Sequence, residues 1–175
     1  MIFLPNVGYR KIAKNNVLDN PSRSAIYQFI RKTPGTDFSE ISRKTGVTPN
    51  SLRYHLAILK IMNKVTILKT TRNTRYFENS GSYSGTEQVV LKYLHNKPTR
   101  ILLQLLMNNP YLTRAQIERT MGVSGAGVNW HMNRLSDDGL LTIRKDGRYA
   151  RYEINAEVVP HLEKYLQLYS EEGRT

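Results

Sequence analysis

The sequence predicts a mainly α fold with small β-hairpins, of the α+β kind, built twice in tandem. Three observations lead there. Sliding the 175-residue chain along itself by 76 residues aligns residues 20–79 on 96–155 without a gap, with 16 of 60 positions identical. Each copy places apolar residues at helical spacing and then changes to a β-branched and aromatic alternation. Each candidate helix also begins at a residue that suits a helix start. A repeat fixes the domain count before any other feature is read. A unit of about 75 residues is longer than a solenoid repeat and can bury a small core of its own. We therefore expect a first domain over residues 1–79, a linker over 80–86, and a second domain over 87–175 that ends in an extra helix.

The elements follow in order. Asp19-Asn20-Pro21 starts a helix in which Ala25, Ile26, Phe29 and Ile30 have helical spacing, and it stops before "TPG" at 33–35. A short helix from about 38 to 45 turns Phe38 and Ile41 inward, and Gly46 closes it. Thr48 and Pro49 are a cap and a first-turn proline for a third helix ending near Ile61. "KVTILKTTRNTRYFEN" then reads as a hairpin with a polar centre over 70–74. The small, polar "SGSYSG" is the linker, and Ser84 with Glu87 forms a capping box. In the second copy Pro98 opens a helix to about Asn108. Thr113 with Gln116 caps the short helix, and Ser124 caps "SGAGVNWHMNRLSDDG". "LLTIRKDGRYARYEI" is the second hairpin, with Asp146-Gly147 as its turn signal. Residues 156–169 form a last helix with Val159, Leu162, Leu166 and Tyr169 on one stripe.

Charge narrows the partner. The formal net charge is +12 and the pI about 10.0, an excess that favours a polyanion, most often nucleic acid. It is uneven: residues 1–86 hold 14 Lys/Arg against 4 Asp/Glu, and residues 87–175 hold 12 against 10. No apolar run approaches the roughly 18 residues that span a bilayer, so no membrane role is expected. The start, "MIFLPNVGYRK", has no basic stretch ahead of its short apolar patch, unlike a secretory signal. The chain has no cysteine, which excludes disulfides, thiolate metal sites and cysteine nucleophiles and suits a cytoplasmic protein.

The doubled helix carries the chemistry. At 100° per residue, Leu52, Leu56 and Leu59 fall on one side of "TPNSLRYHLAILK". Asn50, Arg53, Tyr54 and Ala57 fall on the other, flanked by Ser51 and Lys60. An amide, a guanidinium, a phenol and a small side chain suit base edges and the thymine methyl in the major groove. The same positions of the second copy hold Ala126, Asn129, Trp130 and Asn133, with Arg134 beside them. Lys69, Arg72 and Arg75 decorate the first hairpin; Lys145, Arg148 and Arg151 decorate the second. His55 and His131 lie beside the leucine face, as packed rings or single phosphate contacts. Trp130 either stacks on nucleic acid or is covered by the other domain or a second chain.

Helix, short helix, four-residue turn, helix and hairpin make the winged helix-turn-helix plan. "SEISRKTGVTPNSLRYHLAILK" and "AQIERTMGVSGAGVNWHMNRLSDDGLLTIRKDGRYARYEI" resemble the ArsR/MarR-type winged-helix transcription regulators. The shared signature is a helix ending in Gly-Val, a Ser/Thr cap, then His-Leu-x-x-Leu-x-x-x-Gly-Leu-Leu/Val before the wing. The tandem arrangement, with "GYRKIAKNNVLDNPSRSAIYQFIRKTPG", is similar to archaeal tandem winged-helix proteins over roughly residues 8–170. The first copy departs from the signature at Asn63-Lys64-Val65, where the second has Gly139-Leu140-Leu141. The resemblance implies double-stranded DNA as partner and basic wings lying on phosphates. The metal thiolates of ArsR proteins have no counterpart here, so metal sensing is not carried over.

No Gly-rich phosphate loop, paired carboxylates, Ser/His/Asp set or metal-ligand spacing appears, and Asp137-Asp138 reads as surface. We expect no catalytic residues, no metal and no cofactor. An alternative, favoured by the weak charge of the second half, is a winged-helix adaptor of the basal-transcription kind in which the second copy holds a protein. The C-terminal stripe is either a lid on its own domain or a homodimer helix, and the transcription machinery is a further candidate partner.

Overall fold

The structure, a computed structural model, describes residues 12–70, 73–110, 112–147 and 149–171. The chain divides into two compact units, Met1–Ser82 and Tyr83–Thr175.

In the first unit, α1 (Pro21–Lys32) starts at Asn20, whose side chain accepts from the Arg23 amide, with Pro21 in the first turn. Ile26 and Ile30 of α1 pack with Ile41 of α2 (Phe38–Thr45) and with Leu52, Leu56 and Leu59 of α3 (Pro49–Ile61). All six are almost wholly buried. Truncating any one to alanine costs about 2–5 kcal/mol, because the space left behind closes only in part. Gly46 ends α2 at φ +68°, a left-handed geometry that costs glycine nothing. Thr48 sits at the start of α3, but its side chain makes no capping hydrogen bond.

The hairpin pairs β2 (Val65–Lys69) with β3 (Thr74–Glu78), Ile67 opposite Tyr76. A further strand, β1 (Thr36–Asp37), adds to the free edge of β3 and gives the order β1-β3-β2. Two residues carry no periodicity, so β1 is invisible to pattern reading. Asp37 also caps α2 by accepting from the Glu40 amide at 3.0 Å.

The second unit repeats the plan and adds a helix at each end. After α4 (Gly85–Leu94), the helices α5 (Lys97–Asn108), α6 (Arg114–Met121) and α7 (Gly125–Asp137) match α1, α2 and α3 at both ends under the shift of 76 residues. The Ser84–Glu87 capping box is formed, so Gly85 and Thr86, expected in the linker, are helical. The strands β4 (Leu141–Asp146) and β5 (Tyr149–Ile154) pair with Asp146 opposite Tyr149. Asp146, one half of the expected turn signal, therefore belongs to β4, and Gly147 takes the left-handed φ of +58°.

The last helix, α8 (Val159–Glu171), packs on α4 and α5 of its own unit. Among its described side chains Leu162 and Tyr165 are buried, and Val158 just ahead of the helix is buried too. The expected stripe is thus rotated: Val159, Leu166 and Tyr169 are only half-buried. Among the described residues no helix is long and apolar enough to cross a membrane.

The two helix exits resolve the departure seen in the sequence. Asn63 takes φ +54°, the same left-handed turn as Gly139 at φ +77°; asparagine is one of the few side chains that visit it. Lys64 then donates to the Leu59 carbonyl and Leu140 to the Leu135 carbonyl, both at 2.8 Å. The repeated Asn79 and Asn155 close the same corner: their amide groups donate to the carbonyls of Asn63 at 3.2 Å and Gly139 at 2.8 Å.

Candidate nucleic-acid interface

Helix α3 divides as the wheel requires. Leu52, Leu56 and Leu59 are buried, while Asn50, Ser51, Arg53, Tyr54, Ala57 and Lys60 are exposed. Arg53 donates to the Asn50 side chain at 3.0 Å, and its guanidinium lies 5.5 Å from the centre of the Phe38 ring. The bond and the ring hold the guanidinium along the outward face without covering it. Helix α7 buries Val128, Met132 and Leu135 and exposes Ala126, Asn129, Trp130 and Asn133. Arg134 is half-buried. Its guanidinium lies 5.2 Å from the Trp130 ring and 5.8 Å from the Tyr93 ring, so it is drawn onto aromatic faces rather than projecting outward.

The hairpins sort their cations less evenly than the sequence suggests. Lys69 is exposed at the end of β2, and Lys145 and Arg151 are exposed on the second hairpin. Arg72 and Arg148 lie outside the described residues. Arg75 is turned inward: it donates to the Gly35 carbonyl at 3.2 Å and pairs with Asp37 at 3.4 Å, with its side chain only 13% exposed. It ties β3 to the β1 edge and to the start of α2, which corrects the expectation of an outward wing cation. Arg144, not singled out in the sequence, is exposed and pairs across the hairpin with Glu153 at 3.0 Å.

The two histidines share one arrangement. The His55 ring meets the Tyr54 ring edge-on at 5.3 Å, and the His131 ring meets the Trp130 ring edge-on at 4.8 Å. His55 is 8% exposed, and its Nδ1 is buried without a hydrogen-bond partner. Burial, and then the nearby Arg23, holds its pKa below the ordinary histidine value; burial and then Arg134 do the same for His131. Both rings are therefore neutral at physiological pH and serve as packing partners. Among the described residues no cluster of metal-ligating side chains occurs.

Comparison with known proteins bears on this geometry. A family model described as an N-terminal HTH domain matches residues 20–91, and one described as a winged helix-turn-helix DNA-binding domain matches residues 95–142. The chain carries two helix-turn-helix domains in tandem. Over 146 residues it is 23% identical to an uncharacterised HTH-type transcriptional regulator of Methanocaldococcus jannaschii, covering 83% of this chain and 36% of that one. The chain thus spans about a third of the length of that curated relative. Among solved structures, HlyU from Vibrio cholerae is 27% identical with a TM-score of 0.43, over 48% of this chain and 92% of that one. The AntR antimony-specific transcriptional repressor is 26% identical with a TM-score of 0.43, over 50% of this chain and 79% of that one.

Each helix-turn-helix domain has a groove between its short helix, its outward-facing helix and its hairpin. The grooves are alike in size, about 510 Å³ and 480 Å³, but not in lining. Phe38, Leu56, Ala57 and Tyr76 line the first beside Arg53 and Lys60. Arg114, Glu118, Asn129 and Tyr152 line the second. Glu118 pairs with Arg114 at 3.0 Å and lies against the start of α7, where a Cβ on Gly125 would collide with its carboxylate. Asp138, expected as plain surface, accepts from Tyr93 and Lys92. Burial pushes its carboxyl up, but those hydrogen bonds outweigh it and hold the pKa below the ordinary carboxylate range. The partner that sequence reasoning missed is Tyr93. Its hydroxyl, with a single proton to give, lies within hydrogen-bond distance of both the Asp138 carboxylate and, at 3.0 Å, the Arg134 carbonyl, and only its place in the extra helix α4 could have hinted at this.

Proposed function

We propose that the chain is a cytoplasmic transcription regulator that binds double-stranded DNA through both helix-turn-helix domains. The observation that carries this reading is the doubled outward face. Each domain buries the apolar side of its helix-turn-helix's outward-facing helix and leaves the opposite side exposed, Asn50, Ser51, Arg53, Tyr54 and Ala57 in one and Ala126, Asn129, Trp130 and Asn133 in the other. In this reading α3 and α7 enter the major groove, and α2 and α6 brace them across the backbone. Lys60 and Lys69, with Arg72, meet phosphates beside the first domain; Lys145 and Arg151, with Arg148, meet them beside the second. Arg75 supports the first wing from behind. The role is one of binding, not catalysis.

The two faces differ residue by residue, so one chain favours a site without a palindrome. A homodimer through α8 joins two such composite halves, and sedimentation equilibrium of the full chain measures it. Contact with the transcription machinery would follow once the chain is on its site. The test is duplex binding by the full chain to the DNA upstream of its own gene, measured across a salt series. Log affinity should fall linearly as log salt rises, because phosphate contacts release counterions. Absence of any duplex binding at low salt overturns the reading.

A further inference from the structure

Trp130 is 46% exposed and Tyr54 55% exposed. They occupy the same place in the repeat, on the outward side of their helices, and each is backed by the histidine that follows it. A large aromatic side chain left open on a helix surface forgoes burial worth a good part of its transfer free energy. Trp130 is also held. The His131 ring is edge-on to it at 4.8 Å and the Arg134 guanidinium lies 5.2 Å from its ring. Arg134 is in turn anchored over Tyr93, which is 5% exposed and whose hydroxyl lies within hydrogen-bond distance of the Asp138 carboxylate and the Arg134 carbonyl. The indole is thus fixed at the end of a stack that begins in the interior, and little rotamer freedom remains to be lost on contact.

The surroundings of the indole name what it meets. On the helix, Ala126, Asn129 and Asn133 lie within about 100° of it on one flank. The one cation on the other flank, Arg134, is engaged by the two rings. In the major groove the thymine 5-methyl is the apolar group on offer, and an asparagine amide pairs in two-pronged fashion with adenine. An uncharged face of one fixed aromatic ring and two asparagines matches A·T pairs on both strands. The first domain differs, since the same face there offers the guanidinium of Arg53, which suits guanine.

We infer that Trp130 reads a thymine 5-methyl group and, with Asn129 and Asn133, gives the second domain a preference for A·T pairs. The inference rests on the duplex-DNA reading above. The test uses the full chain and a pool of duplexes whose randomised core spans about two helical turns. From the preferred duplex, each thymine is replaced in turn by deoxyuridine, which lacks only the methyl group. At one or two thymines inside an A·T segment the wild-type chain should lose about fourfold in affinity, the worth of one buried methyl. Trp130→Ala should bind the parent duplex more weakly and lose nothing further on the deoxyuridine duplex, whereas Trp130→Phe should still distinguish the two. Emission from Trp130, the sole tryptophan, should change more with the thymine duplex than with its deoxyuridine form. Equal affinity for all deoxyuridine duplexes, or undiminished discrimination by a folded Trp130→Ala chain, overturns the inference while leaving duplex binding intact. Should Trp130→Ala fail to fold, the wild-type deoxyuridine series decides alone. Failure to select any duplex at low salt overturns the regulator reading itself.

Discussion

Arg53 and Arg75 are both guanidinium groups of the first domain, and their surroundings give them opposite work. Arg53 is exposed, steadied by Asn50 at 3.0 Å and by the Phe38 ring at 5.5 Å. If it reads a base, Arg53→Ala should relax specificity at one position and cost about 1–3 kcal/mol on the preferred site, with little effect on a scrambled one. Quantitative footprinting on both duplexes checks this, and equal weakening on the two would place Arg53 on phosphate instead. The histidines give a second test. Their pKa values in the folded chain lie below 6.5, so the unfolded chain takes up protons first as the pH falls. Stability should be level above about pH 6.5 and should decline below it until the folded-state values are passed. Urea midpoints between neutral pH and about pH 5 measure the decline, and the double variant His55→Leu, His131→Leu should flatten it. The depressed carboxylates Asp138 and Glu87 act in a separate window. For each, burial works against the hydrogen bonds that lower its pKa. Their contribution is lost only as the pH falls below their ordinary values, 3.8 and 4.5.

The helices were legible because their ends are written in local chemistry. Pro21 in the first turn of α1, Thr113 with Gln116, and Gly46 and Gly122 each act within a few residues of one another, and the structure places helix ends at them. What was not legible depends on partners far along the chain. The β1 strand exists because Thr36 and Asp37 meet Tyr76 and Arg75 some 40 residues later, and the same pairing turns Arg75 inward. The engagement of Arg134 and Asp138 needs Tyr93 of α4, more than 40 residues earlier. Arg75→Ala should therefore lower the stability of the first domain by about 1 kcal/mol through a half-buried charge-assisted contact, with at most a secondary effect on DNA affinity. Thermal unfolding beside a binding curve separates the two; a large affinity loss at unchanged stability would return Arg75 to the wing surface. The matched exits make a backbone test. A Cβ on Gly139 meets nothing within 4 Å, so Gly139→Ala isolates the cost of the left-handed conformation, about 1–2 kcal/mol. Asn63→Gly should relieve part of the same cost in the first domain.

Charge is divided along the chain in a way that the paired folds are not. Residues 1–86 hold ten more basic than acidic side chains and residues 87–175 only two more, although the matched helices begin and end at equivalent residues. Attraction to a phosphate backbone depends on how many cations displace counterions, whereas base reading depends on the open helix face. The two domains should therefore contribute different quantities. Cut at the unit boundary after Ser82, residues 1–82 should bind any duplex more tightly than residues 83–175 and with a steeper salt slope. Each half keeps its own buried core, so folding of the pieces can be verified by circular dichroism before binding is compared. The full chain should exceed both halves on its preferred site by more than charge explains, since the short segment between the units makes the second contact intramolecular. On random duplex it should approach the first half alone, because the uncharged face of α7 gains little where its bases are absent. Equal affinity and equal salt slope for the two isolated halves would show that the position of charge in the sequence does not report which domain anchors the chain.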